Sequence, residues 1–166
     1  MNLTLFYFYI SITILDFNMK KKRIFLGGTC AETTWRDELI PFLEKENIEY
    51  FNPVVKDWTP ECQAIEEEEK NYKCNIHLYT ITKEMIGVYS IAEIIHSAHL
   101  ANMYGTSVDL VVVCIYQPET WSTAQLKSLR ATGRLVKDIA PHNSLVFEGN
   151  SLALLNENIV YYIEHN

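Results

Sequence analysis

The stretch from Val108 to Tyr116, VDLVVVCIY, runs on in β-branched and other apolar residues with no polar alternation after its aspartate. A strand of that composition has no solvent face and fits a parallel sheet covered on both sides. Shorter runs of the same kind precede it at Lys22 to Gly28, Ile48 to Phe51 and Asn75 to Thr82, and one follows at Ser144 to Phe147. Helix-period segments alternate with them: Trp35 to Glu46, Pro60 to Cys74, Ser90 to Tyr104, Thr123 to Ile139 and Leu152 to Glu164. Such alternation requires right-handed crossover connections, with helices on both faces of the sheet.

The predicted fold is therefore an α/β three-layer sandwich of flavodoxin-like or Rossmann-like type. Its parallel sheet has five strands in the order 2-1-3-4-5. Local signals set the boundaries. Asn47 ends the first helix, in which Pro41 is expected to make a kink or mark a late restart. Thr59 and Pro60 have the cap and first-turn chemistry of a helix start, Gly105 suits a left-handed helix stop, and Gly133 is expected to interrupt its helix. The acidic patch Glu66 to Glu69 reads as a solvated helix face.

With 166 residues, 48% of them apolar, the chain suits one domain, which the pattern starts at residue 20. A net charge of -7 argues against a partner with a phosphate backbone, although a local site can still hold a free nucleotide. The cysteines Cys30, Cys62, Cys74 and Cys114 show no paired or zinc-like spacing and read as reduced thiols of a cytoplasmic protein. Residues 1–19 form an apolar extension. Its core, Leu3 to Leu15, is shorter than the ~20 residues of a membrane-spanning helix. Met19, just before KKKRIFLGG, is an expected alternative start, and no membrane partner is expected.

In the order 2-1-3-4-5 a ligand sits beyond the carboxyl ends of strands one and three. The loops meeting there are Gly27 to Thr34 and Thr82 to Ser90, so Gly27, Gly28, Thr29, Gly87, Tyr89 and Ser90 are candidate substrate contacts. Trp35 and Trp58 are candidates for stacking on a base, and Arg36 for meeting a phosphate or carboxylate. The glycines match neither Gly-x-Gly-x-x-Gly nor a phosphate-binding loop with Lys-Thr, and no cofactor is expected. Glu93 is the candidate catalytic residue. Ser90-Ile91-Ala92-Glu93 also matches a capping box, which would put this carboxylate in the first helical turn, where anions are favoured. Glu93-x-x-His96 lacks the further carboxylates of a di-iron site, and no metal is expected.

The pieces RIFLGGT, FNPVVKDWTPE, NIHLYTIT and GVYSIAEIIHSA together resemble the nucleoside 2-deoxyribosyltransferase-like family, over nearly everything after Lys20. The resemblance implies an α/β sandwich assembling through dimers. It also implies that a glutamate at the Glu93 position attacks the anomeric carbon of a nucleoside or nucleotide, giving a glycosyl-enzyme that a second base or water resolves. Gly27, Gly28 and Thr29 would line the pocket. Relatives often carry an acid shortly before the nucleophile, where this chain has Met85, Ile86 and Gly87, and an aspartate at Asn75. Glu84 and one of Glu66 to Glu69 are the nearest remaining acids. NAD glycohydrolysis and non-catalytic nucleotide sensing are the alternative readings.

Overall fold

The computed structural model describes residues 21–30 and 32–165; the apolar extension and the start expected at Met19 lie outside them. In chain order the elements are β1 (Arg23–Gly28), α1 (Trp35–Lys45), β2 (Glu49–Phe51), α2 (Pro60–Glu68), β3 (Ile76–Ile81), α3 (Tyr89–Asn102), β4 (Leu110–Tyr116), α4 (Thr123–Ile139), β5 (Ser144–Gly149) and α5 (Leu152–His165). The strands form one sheet in the order β2-β1-β3-β4-β5, with every pairing parallel. Both the architecture and the strand order are those the alternation predicts.

Period-two alternation divides the core. Ile24, Leu26, Leu110, Val112 and Cys114 pack with Trp35, Leu39, Leu43 and Leu155 on the face covered by α1 and α5. Phe25, Val111, Val113 and Ile115 pack with Ile94, Ala98, Leu129 and Val136 on the face covered by α3 and α4. Burial on both faces explains why β4 shows no polar alternation. Asn47 closes α1 with φ 54°, and α1 continues through Pro41 with no restart there. Gly133 does not interrupt α4 either. A Cβ there would come within 2.8 Å of Val146, so the glycine lets helix and sheet approach.

Two local expectations fail in the segment between α2 and β3. The helix beginning at Pro60 does not continue to Cys74. It ends at Glu68, and Glu69–Lys73 form one wider turn in which the Cys74 N–H bonds to the Glu69 carbonyl at 2.8 Å. Such single wide turns recur at functional sites. Nor is Glu66 to Glu69 a uniformly solvated face: Glu67 and Glu68 are exposed, Glu66 is half-buried, and Glu69 is buried against Arg23 at 2.7 Å. Helical rotation of ~100° per residue explains the split, because residues 66 and 69–70 turn inward and Glu68 turns out to solvent, with Glu67 at the boundary between them.

Candidate active site

The loop after β1 and the turn after β3 meet where the topology places a ligand. Gly28, at φ 105°, turns the chain so close to β3 that a Cβ would come within 2.2 Å of the Thr80 carbonyl. Thr29 then locks the crossing: its N–H donates to the Thr80 carbonyl at 3.0 Å and its Oγ1 accepts from the Thr82 N–H at 3.0 Å. Ser90 Oγ donates to the Gly28 carbonyl at 3.2 Å and ties α3 to the same loop.

Trp35 and Arg36 brace this loop from beneath and are buried in the fold. Trp35 Nε1 donates to the Thr29 carbonyl at 3.0 Å. The Arg36 guanidinium bonds the Leu26 carbonyl through Nε and Nη2, at 3.1 and 2.9 Å, and the Thr29 carbonyl through Nη1 at 2.7 Å. Both side chains are buried, and Arg36 lies 4.2 Å from the Trp35 ring. A chain turning sharply at Gly28 leaves carbonyls inside the fold, and a planar five-donor group satisfies several at once.

Above the loop opens a cavity of about 380 Å³, within the size range of small-molecule sites. Gly27, Gly28, Trp58, Tyr89, Ser90 and Glu93 line it, with Glu66 and Lys70 entering from α2 and the wide turn. A smaller neighbour of about 210 Å³ shares Gly28, Tyr89 and Ser90 and adds Thr29 and Gly87. All the sequence-predicted contacts except Trp35 and Arg36 thus line one of these two adjoining spaces.

Glu93 does not form the expected capping box. The helix starts one residue earlier, at Tyr89 with Val88 as its cap residue, so Glu93 falls beyond the first turn, and Ser90 spends its hydroxyl on Gly28. The Glu93 carboxylate instead accepts from Lys70 Nζ at 2.5 Å, with the two side chains only 12% and 11% exposed. A complete capping box occurs elsewhere, at Ser122 and Gln125, opening α4.

Glu66 shares the cavity. Burial pushes its carboxyl above the ordinary glutamate value, the negative charge of Glu93 adds to the rise, and Lys70 and Arg36 oppose it. A shift in that direction favours the protonated form, which is the form that can donate. Glu84 lies in the turn after β3, outside both cavities, and its interaction with Thr82 shifts it the other way. Asn75 belongs to the opposite end of the sheet, where its Oδ1 accepts the Arg23 N–H at 2.8 Å.

Lys70 and His77 carry no flag as site residues in the sequence. In a regular helix the Lys70 carbonyl would accept from the Cys74 N–H; the wide turn releases it, and His77 Nε2 takes it at 2.7 Å. His77 Nδ1 meets Ser97 Oγ at 2.9 Å, which meets the Tyr79 hydroxyl at 2.8 Å. A histidine in the buried run IHLYTI was the available signal, since such a ring needs partners. His96 and His99 are exposed on α3. Among the described residues no cluster of metal-ligating side chains occurs, and no helix is long and apolar enough to cross a membrane.

The sequence model of the family described as nucleoside 2-deoxyribosyltransferase like matches residues 21–119, which include the whole cavity lining. The chain belongs to that family. A solved structure of the CMP N-glycosidase BcmB of Clostridium botulinum is similar to it with a TM-score of 0.50 at 16% sequence identity, covering 85% of this chain and 99% of that one. At that identity the likeness is one of fold. No curated protein sequence matches the chain.

Proposed function

We propose that the protein cleaves or transfers the N-glycosidic bond of a nucleoside, nucleotide or related metabolite, with Glu93 as nucleophile and Glu66 as proton donor. One observation carries the reading: two carboxyl groups in different electrostatic surroundings share a cavity at the switch point of a family-member fold. Divergent environments for paired carboxyls are how one site supplies both a nucleophile and an acid. A Glu93 oxygen attacks C1′ while the C1′–N bond breaks, and Glu66 gives its proton to the departing base nitrogen. Water or an acceptor base then attacks C1′, the ester opens, and Glu66 takes the proton back.

Gly27, Gly28, Thr29, Gly87, Tyr89 and Ser90 form the floor and rim for the sugar, and Trp58, 60% exposed at the mouth, offers a face for the base. Trp35 and Arg36 act by fixing the loop. The four free thiols accord with a reducing, cytoplasmic setting. Assembly through dimers goes with the family, and exposed Ile86, Val88 and Tyr89 give the cavity mouth an apolar border for a second copy.

The test is a panel of deoxynucleosides, nucleoside monophosphates and NAD, with released base followed by chromatography. The wild type is expected to release base from at least one, and Glu93→Ala from none. Undiminished turnover by Glu93→Ala would contradict the assignment. Tight binding without turnover would select a nucleotide sensor instead, and nicotinamide release from NAD alone a glycohydrolase.

A further inference from the structure

We propose that Lys70 is a counter-ion that the site passes from Glu93 to Glu66 when the glycosyl-enzyme forms, and back again when it is resolved. The inference rests on the roles just given to the two glutamates.

The placement of Lys70 is built into the fold. The wide turn after α2 brings its side chain inward, where its ammonium lies 2.5 Å from Glu93 Oε1 and 5.6 Å from the centre of the Phe25 ring. Lys70 holds Glu93 through Oε1, and the attack is assigned to Oε2. Glu66 precedes Lys70 by four residues, one turn away on the same side of the helix, and both line the cavity with Glu93.

The charges of the three groups balance before and after the first step. In the resting site Glu93 is negative, Lys70 positive and Glu66 neutral. Attack converts the Glu93 carboxylate into a neutral ester, the C1′–N electron pair leaves with the base, and the Glu66 proton goes to that base. Glu66 is then the negative group and Lys70 is still positive. A cation only 11% exposed is costly to leave unpaired, so the ammonium follows the negative charge along its flexible stem. Pairing with Glu66 stabilises the carboxylate formed in the same step. On resolution, Glu66 accepts a proton from water as Glu93 regains its charge, and Lys70 returns.

The charged groups facing Glu66 are Glu93, Lys70, Arg36 and Glu67. Arg36 is held by backbone carbonyls, and Glu67, exposed at the cavity edge, accepts from Gln63 Nε2 at 3.0 Å, which leaves Glu93 and Lys70 as the pair whose states change.

The experiment titrates Glu66 by NMR of glutamate-labelled protein in the wild type, in Glu93→Gln, which carries the charge of the ester state, and in Glu93→Gln combined with Lys70→Met. Glu66 is expected to titrate about one pH unit lower in Glu93→Gln than in the wild type, and most of that fall should vanish when Lys70 is also removed. An unchanged Glu66 in Glu93→Gln, or an equal fall with and without Lys70, would overturn the hand-over. In the base-release assay the basic limb of kcat/KM should move to higher pH in Lys70→Met and stay in place in Lys70→Arg; equal losses in both with unmoved limbs would mark Lys70 as merely structural. Absence of turnover on every nucleoside would remove the glycosidic reading itself, whereas the Glu66 titration reads the pair switch with or without turnover.

Discussion

The His77 ring meets the Lys70 carbonyl at 2.7 Å, and because a carbonyl only accepts, Nε2 carries the proton. Nδ1 of the neutral ring therefore accepts from Ser97 Oγ, which in turn accepts from the Tyr79 hydroxyl. The chain joins β3, α3 and the turn that presents Lys70 to Glu93. Burial pushes His77 down to about 4, against the pull of the carbonyl it bonds. The folded state thus resists a proton that the unfolded chain takes up near pH 6.5. The stability contribution is complete above pH 6.5 and is lost as pH falls toward 4. Thermal unfolding should show a loss on the order of 3 kcal/mol over that window, and His77→Gln, which has no titrating ring, should lose visibly less. Equal acid sensitivity in both proteins would contradict the neutral, buried ring.

Arg36 is expected to act on stability first. Arg36→Met leaves the Leu26 and Thr29 carbonyls without their donors and should destabilise by about 2–4 kcal/mol in denaturant titration. Arg36→Lys should recover only part, because an ammonium cannot reproduce the planar fork. A variant as stable as the wild type but selectively weakened for phosphorylated substrates would instead return Arg36 to ligand binding.

Two glycines of the site should respond oppositely to alanine. Gly28 combines φ 105° with a Cβ position 2.2 Å from the Thr80 carbonyl, so Gly28→Ala must displace the crossing and should cost more than about 3 kcal/mol. Gly87 has no atom within 4 Å of its Cβ position, and Gly87→Ala should change stability by less than about 1 kcal/mol. Paired thermal melts decide this.

Glu66→Gln should lower base release about 10²–10³-fold and remove the basic limb of the pH profile, since the acid form raised by burial is what that limb reports. With a 7-methylated purine nucleoside, whose base departs without a new proton, the glycosylation step should be nearly unaffected. An equal loss on both substrates would contradict the acid role.

The sheet was legible because β4, apolar without alternation, and the regular return of helix signals admit few topologies. The place of the cavity followed from that order, and Gly27 and Gly28 stood out because neither position leaves room for a Cβ. The surroundings of Glu93 were not legible. Ser90-x-x-Glu93 and Ser122-x-x-Gln125 both carry the local capping pattern, yet only the second caps its helix. At the first, Gly28 and Lys70 compete for the same side chains from distant points in sequence. The wide turn at Glu69–Lys73 was invisible for the same reason, since a helical period continues through Lys70 and only His77 and Cys74 reveal which carbonyl is free. Trp35 and Arg36 lie beneath the loop after β1 and line neither cavity, because sequence proximity does not tell a brace from a contact.

In the mechanism proposed for this site, the Glu93 carboxylate forms the bond to the sugar. Incubating the protein with a 2-deoxy-2-fluoroarabinosyl analogue of the nucleoside it turns over fastest, then measuring intact and peptide masses, tests it directly, because the fluorine slows breakdown of a glycosyl ester. One fluorosugar adduct per chain is expected, located at Glu93 and absent from Glu93→Gln. Base release with no adduct, or an adduct on any other residue, would contradict it.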